Sequence, residues 1–166
     1  MKSSSKRVAL LGLCTSLALI LAYVEILLPP MFSAIPGIKI GLPNIVIIFV
    51  LYQFGIADAA TVSFIRVAAV SMLFGNPVTT FAYSIAGALL SLVVMALLKK
   101  SNLLSTIGVS VAGAVFHNVG QVLMAMILLG TAELGYYLIA LSITGILSGI
   151  FVGLCGGFAV KRVKIK

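Results

Sequence analysis

The stretch LGYYLIALSITGILSGIFVGLCGGFAV, residues 134–160, contains no charged residue and is followed directly by Lys161 and Arg162. A helix needs about 20 apolar residues to cross the ~30 Å hydrocarbon core of a bilayer, because each residue adds about 1.5 Å. The stretch is long enough to cross, and positive residues directly behind it are typical of a membrane surface. Residues 134–160 therefore predict a transmembrane helix, and the rest of the chain repeats the pattern.

Further apolar runs precede this one along the chain. They cover residues 8–28, 40–54, 59–74, 78–98 and 104–129. Proline and glycine are frequent in residues 29–39, and Gly75-Asn76-Pro77 is a strong turn signal. We therefore predict an all-α integral membrane protein, with one domain of six transmembrane helices over residues 8–160. An N-terminal segment (1–7) precedes it and a basic tail (161–166) follows it. The second and third runs are short, so a re-entrant or tilted arrangement stays open there.

The composition of the whole chain agrees with a membrane protein. Of its 166 residues, 62% are hydrophobic and only 8% are charged, whereas roughly a quarter of a soluble domain is charged. The formal net charge is +8, but the positive residues flank apolar runs instead of forming a contiguous basic patch, which argues against nucleic-acid binding. Cys14 and Cys155 lie alone in apolar runs and predict neither a disulfide framework nor a metal site. We expect no cofactor.

The positive residues also predict how the chain is oriented. An even number of spans puts the N-terminus, the connection between the fourth and fifth runs, and the tail on the same side. Nine of the eleven Lys and Arg residues lie in these segments: Lys2, Lys6, Arg7, Lys99, Lys100, Lys161, Arg162, Lys164 and Lys166. Because cytoplasmic loops are enriched in Lys and Arg, we expect both termini to lie in the cytoplasm.

Polar side chains within or beside the predicted spans are the candidate binding residues. An ionisable group near the centre of a span costs at least ~2.5 kcal/mol, so it needs a reason to be there. These residues lie mostly towards the extracellular half and predict an outward-facing pocket for a polar or anionic solute. They are Glu25, Lys39, Asn44, Arg66, Asn76, His117, Asn118 and Gln121. An alternative stays open, in which Arg66 pairs with Glu25 and the other residues form hydrogen bonds between helices.

Small residues recur at a spacing of four on two of the predicted helices, and such residues let two helix backbones approach closely. On the sixth run they form a ridge that predicts helix packing: Gly145, Gly149, Gly153 and Gly157. On the first run they predict a surface where a partner docks: Gly12, Ser16, Ala18 and Ala22.

The sequence lacks the patterns of several enzyme classes. It has no Gly-x-x-x-x-Gly-Lys-Ser/Thr loop for ATP, and His117 has no evident nucleophile with an orienting carboxylate. Metal-assisted diphosphate chemistry needs clustered carboxylates to hold Mg²⁺, whereas Glu25, Asp58 and Glu133 lie in distant segments. We therefore expect no catalytic residue, and no enzymatic activity of this chain alone.

Several strings of residues resemble a small bacterial membrane family. They are YVEILLPP (23–30), IPGIKIGLPN (35–44), Arg66, FGN (74–76), SIAG (84–87) and GAVFHNVGQ (113–121). The family carries two labels, Gx transporter and heptaprenyl diphosphate synthase component I. The resemblance extends over about residues 7–160 and implies a location in the bacterial cell membrane.

This family is in turn similar to the S components of energy-coupling-factor (ECF) transporters, which are six-helix substrate-binding subunits. The resemblance implies that the loop 29–39 closes over an extracellular pocket. It also implies that the first helix docks a transmembrane coupling subunit driven by separate ATPases. Related members occur in flavin-based extracellular electron transfer with a partner of the NusG-domain type. The expected function is therefore capture of a small solute by a non-enzymatic subunit. A scaffold in a redox or quinone-linked complex is the alternative, and a prenyl diphosphate synthase component is less favoured.

Overall fold

The structure is a computed structural model that describes residues 2–28, 40–74 and 78–163, with side chains from residue 5 onwards. The described residues contain no strand and form six α-helices and one 3₁₀ helix. These are α1 (Lys2–Leu27), α2 (Pro43–Gln53), α3 (Ile56–Phe74), α4 (Thr79–Ser101), α5 (Thr106–Leu129), the 3₁₀ helix Ala132–Tyr136 and α6 (Tyr137–Arg162). The predicted all-α class and the six helices are confirmed.

Five of the helices, α1 and α3 to α6, are long and apolar enough to cross a membrane. Their outward faces carry large apolar side chains, among them Leu13, Met72 and Ile139, which are 67%, 76% and 70% exposed. Lipid is a suitable solvent for such faces, since each helix satisfies its own backbone hydrogen bonds. The chain is therefore a multi-pass membrane protein.

Helix α2 differs from the other five, and here the sequence prediction needs correction. Its 11 residues rise about 16 Å, which is roughly half of the hydrocarbon core. The helix does not begin at residue 40, because Gly41 has a φ of +78°, a backbone conformation that favours glycine over other residues. Pro43 then starts the helix, where its missing N–H costs no hydrogen bond. More than half of α2 is buried: Pro43, Val46, Ile47, Ile48, Val50 and Leu51.

Contacts between the ends of the helices show the directions in which the helices run. Arg7 near the start of α1 forms an ion pair with Asp58 in the first turn of α3, 2.5 Å from Nη2 to Oδ2. At their other ends the same two helices meet again, where the rings of Tyr23 and Phe74 lie 5.5 Å apart. Helices α1 and α3 therefore run in the same direction.

The even-numbered helices run the opposite way. Nζ of Lys99 at the end of α4 donates a hydrogen bond to the carbonyl of Leu51 at the end of α2, over 2.6 Å. Nε2 of Gln53 donates to two carbonyls at the end of α6, those of Val160 and Val163, over 3.1 and 2.7 Å. We call this end of the bundle the basic end. It holds these described positive residues: Lys6, Arg7, Lys99, Lys100, Lys161 and Arg162.

The apolar core lies in the half of the bundle that is next to the basic end. Ile48, Val50 and Leu51 of α2 are at most 1% exposed, and they share this core with Val62 of α3 and Val109 of α5. Because α2 ends at the basic end, its apolar side chains fill the centre of this half only.

The glycine ridge of α6 lies against α5. A Cβ atom on Gly149 would lie 2.6 Å from Cα of Val111, and one on Gly153 would lie 2.8 Å from Cα of Ile107. Gly145 and Gly157 also face α5, where the nearest atoms to an added Cβ would be 3.0 and 3.6 Å away. The structure therefore places all four predicted packing glycines at one helix–helix contact, and at Gly149 and Gly153 the backbones are too close for a larger residue.

Candidate functional site

A cavity of about 100 Å³ lies in the half of the bundle away from the basic end. Six of the eight predicted binding residues line it: Glu25, Asn44, Arg66, His117, Asn118 and Gln121. They come from helices that are distant in sequence, namely α1, α2, α3 and α5. The other two predicted residues, Lys39 and Asn76, lie outside the described residues. The fold thus brings together every predicted binding residue that the structure describes.

The short α2 helix explains why a cavity is at this place. From the basic end α2 reaches only about 16 Å into the bundle, and its first residues, Pro43 and Asn44, form part of the cavity wall. Beyond them no side chain of α2 fills the centre. The longer helices continue past this level and place polar side chains beside apolar ones such as those of Ile26, Val67 and Val70.

Arg66 provides the positive charge of the cavity wall. It lies near the middle of α3, about 15 Å along the helix from Ile56. Its Nε is buried and has no hydrogen-bond partner among the described residues. A buried guanidinium N–H without a partner is costly, and an anion with planar oxygens would satisfy it. The arrangement therefore favours binding of an anionic group.

Glu25 is the negative charge of the same wall. Its Oε1 accepts a hydrogen bond from the backbone N–H of Gly41, just before α2 begins. A carboxylate at this position interacts favourably with the N-terminal end of α2 and connects α1 to it. Glu25 also lies within electrostatic range of Arg66. It has a backbone partner of its own, while Nε of Arg66 has none, so mutual pairing does not account for both residues.

Helix α5 contributes three residues to the wall. His117 and Gln121 are four apart and share one face of the helix. Asn118 has a second role, because its Nδ2 donates a hydrogen bond of 2.7 Å to the carbonyl of Leu141 on α6. The predicted alternative of hydrogen bonds between helices thus applies to the amide nitrogen of Asn118.

A close contact between α4 and α5 holds this part of the wall. A Cβ atom on Gly87 would lie 2.7 Å from the carbonyl oxygen of His117 and 2.8 Å from Cγ of Gln121. One on Gly120 would lie 2.7 Å from the carbonyl oxygen of Ala86. Two glycines therefore let the backbones meet next to the polar side chains, and a larger residue at either position would displace the wall.

Sequence reasoning missed several residues of the wall, among them the hydroxyl groups of Ser84 and Ser148. A second, smaller cavity of about 20 Å³ lies beside the first and shares Asn44 and Ser148 with it. Ser110 also lines this smaller cavity, and its Oγ is buried without a described partner. Serine is common in membrane helices, where it often bonds its own backbone, so its presence alone gives no usable signal.

The four predicted docking residues of α1 lie on two different faces. Ala18 belongs to the apolar core and Ala22 lines the cavity, and both are buried. Gly12 and Ser16 are exposed. The step from residue 16 to residue 18 turns about 200° around a helix of 3.6 residues per turn, so the two pairs cannot share a face. The outward surface of α1 contains only Gly12 and Ser16 of the four.

Comparison with known families now adds to this geometry. Residues 14–159 match the family described as heptaprenyl diphosphate synthase component I. The chain belongs to this family. Searches of curated proteins and of solved structures find no match to it.

The described part of this heptaprenyl diphosphate synthase component I family member keeps its carboxylates apart. Glu25 lines the cavity, Asp58 pairs with Arg7 at the basic end, and Glu133 is exposed in the 3₁₀ helix. No group of three His, Cys, Asp or Glu side chains among the described residues is arranged to hold a metal ion. These residues therefore do not form the paired carboxylates that Mg²⁺-dependent diphosphate chemistry uses.

Proposed function

We propose that this protein is a membrane-embedded binding subunit that captures a small polar or anionic solute in the 100 Å³ cavity. One observation carries the proposal: eight polar residues from six helices line one cavity, and Nε of Arg66, which is one of them, has no described partner. Polar groups that only hold helices together satisfy one another, because an unpaired group in a membrane interior is costly. An arginine at a cavity wall whose Nε lacks a described partner is expected where a ligand completes the hydrogen bonds of the guanidinium.

The proposed direction of capture follows from the positive residues. The described Lys and Arg residues outside the spans gather at the basic end, and cytoplasmic segments are enriched in such residues. We infer that the basic end faces the cytoplasm, with both termini there. The cavity then lies in the extracellular half of the bundle, where a solute from outside reaches it.

A separate module supplies the energy in this proposal. The sequence has no phosphate-binding loop for ATP, so ATP-driven uptake needs other subunits. We propose a transmembrane coupling subunit with separate ATPases, as in the ECF transporters that the chain resembles. The exposed face of α1 is the proposed contact surface, because a Cβ atom added at Gly12 would meet no described atom within 4 Å.

The proposed role is not enzymatic. The family description names a synthase component, but the distribution of Glu25, Asp58 and Glu133 supports a role in binding over one in diphosphate chemistry. A scaffold role beside a NusG-domain-type redox partner is the competing proposal, and it does not require a polar cavity with an arginine in its wall.

Co-purification of the solute tests the proposal against the scaffold role. The full chain is purified with and without candidate coupling subunits, and the small molecules it releases are identified by mass spectrometry. Arg66→Gln is compared with Arg162→Gln, whose arginine is exposed and lies over the ring of Phe158 at the basic end.

The proposal expects at least one solute that is retained by the wild type and by Arg162→Gln, and is lost from Arg66→Gln. The variants should unfold at similar temperatures, so that loss of solute does not reflect loss of structure. A redox partner that co-purifies with all three proteins, without any retained solute, would replace the binding role with the scaffold role.

A further inference from the structure

We infer that the cavity takes a solute with one negative charge, a carboxylate that binds Arg66, and that it rejects diphosphates. This inference rests on the proposed binding role and specifies its substrate class. It starts from the charges of the wall. Among the described lining residues the formal charges are one cation, Arg66, and one anion, Glu25.

The N-terminal end of α2 adds a partial positive charge of about 0.5 to this wall. Glu25 already compensates part of this positive charge, since its carboxylate accepts a hydrogen bond from the N–H of Gly41 just before the helix. The described wall therefore carries less than one uncompensated positive charge. The charges of Arg66 and Glu25 cancel, so a solute with one negative charge leaves an excess of about half a negative charge. A diphosphate with two or three negative charges leaves an excess of about 1.5 to 2.5, which nothing in the described wall balances.

Burial makes this difference large. Charges that leave water need partners, and an unpaired charge in a buried, low-dielectric site is strongly disfavoured. Proteins that bind diphosphates supply several partners, such as arginine clusters, Mg²⁺ or free N–H groups at a helix terminus. Here the first N–H groups of α2 are already used, because those of Asn44 and Ile45 donate to the carbonyls of Gly41 and Leu42.

The size and donors of the cavity fit a carboxylate. A guanidinium presents a planar fork that matches the two oxygens of a carboxylate, and Arg66 lines the cavity. Gln121 and Ser84 place amide and hydroxyl groups in the same wall. The volume of about 100 Å³ is smaller than that of an engineered cavity of ~150 Å³ that holds benzene. A small carboxylic acid, or the carboxylate end of a larger one, therefore fits.

Thermal unfolding of the full chain in detergent tests this inference. Cys14 and Cys155 are free and partly buried, so a thiol-reactive dye reports unfolding. The probes are propanoate, the zwitterion β-alanine, the neutral isostere propanamide, and pyrophosphate with and without Mg²⁺, all at equal ionic strength. At ten times its dissociation constant, propanoate or β-alanine should raise the unfolding midpoint by about 3–6 °C. Propanamide and pyrophosphate should leave it unchanged.

Two substitutions give opposite expected results. Arg66→Gln should abolish the shift with propanoate, and Arg66→Lys should keep part of it because the charge remains. Glu25→Gln retains an oxygen that accepts the Gly41 hydrogen bond and removes the negative charge. It should increase the affinity for propanoate about tenfold and allow pyrophosphate to stabilise the protein. A merely structural role of Glu25 would give no gain in affinity.

The outcomes separate this inference from the binding role itself. If pyrophosphate stabilises the wild type more than propanoate does, or propanamide equals propanoate, the single-charge inference is overturned while the protein still binds solutes. If no probe shifts the midpoint, the inference is also overturned. The binding role is then judged by the solute that co-purifies with the chain.

Discussion

The two halves of the helix bundle differ in what fills their centre. In the half next to the basic end, apolar side chains of α2 are enclosed by those of α3 and α5, and Ile48, Leu51 and Val62 are at most 1% exposed. In the other half the centre contains the cavity with Arg66 and Glu25 in its wall. Helices α1, α3 and α5 pass through both halves. The kind of side chain in the centre therefore depends on depth in the membrane and not on which helix provides it.

This comparison shows how a small membrane protein combines a rigid body with a polar site. Helices in lipid gain little from hydrophobic association and are held by close packing and hydrogen bonds. The apolar half supplies the hydrophobic core, and the glycine contact between α4 and α5 adds close packing beside the polar residues. The polar half then keeps unsatisfied groups such as Nε of Arg66. The following predictions test whether stability belongs to the first half and binding to the second.

Removal of a core side chain should have the largest effect on stability. Leu51→Ala deletes a side chain that is 1% exposed and should lower the free energy of unfolding by about 2–5 kcal/mol, because it leaves a cavity. Leu97→Ala is the control, since Leu97 of α4 is 63% exposed and faces lipid. Denaturant unfolding in mixed micelles measures both. Equal losses for the two variants would show that the half next to the basic end is not the packed core.

Disturbance of the α5–α6 contact should have the next largest effect. Gly149→Ala puts a Cβ atom 2.6 Å from the backbone of Val111, so the helices must move apart, at a cost of about 1–3 kcal/mol. Gly157→Ala is the matched control on the same ridge, where the nearest atom is 3.6 Å away. Thermal midpoints of the two variants should differ clearly. If they coincide, the glycines are not what sets the distance between the helices.

Loss of the ion pair at the basic end should have a small effect. Arg7 and Asp58 have side chains that are 56% and 16% exposed, and exposed ion pairs contribute about 0–1 kcal/mol. Arg7→Gln, Asp58→Asn and the double variant form a double-mutant cycle that isolates this contribution. The coupling should decrease as salt is added. A coupling that salt does not change would place the pair in a buried environment.

Removal of the Ser110 hydroxyl should have the smallest effect. Its Oγ is buried without a described partner, so Ser110→Ala removes an unsatisfied group and should be neutral or slightly stabilising. Ser148→Ala is the control, because Oγ of Ser148 donates a hydrogen bond to the carbonyl of Gly145 over 3.2 Å. A loss of stability in Ser110→Ala would mean that the 20 Å³ cavity holds a bonded water molecule, and that polarity extends into the apolar half.

The sequence by itself determined the membrane class, the number of helices and the described members of the polar site. Long apolar runs have few alternatives in lipid, because only helices and closed barrels satisfy the backbone there. The boundaries follow from the same signal, as in α5, predicted over residues 104–129 and observed over Thr106–Leu129. Arg66 and His117 stood out because polar residues are rare in spans. Helical spacing alone also shows that the four small residues of α1 lie on two faces, since positions 16 and 18 cannot share a face.

Only the tertiary structure decided how long α2 is and therefore where the cavity lies. The predicted run covers residues 40–54, and Gly41, Pro43 and Asn44 near its start leave more than one position where the helix could begin. The positive φ of Gly41 and its hydrogen bond to Glu25, sixteen positions earlier in the chain, fix that start. The same holds for Ser148, which lines the cavity although nothing in its neighbourhood marks it. Contacts between distant segments set these features, and such contacts cannot be predicted from the residues of one segment alone.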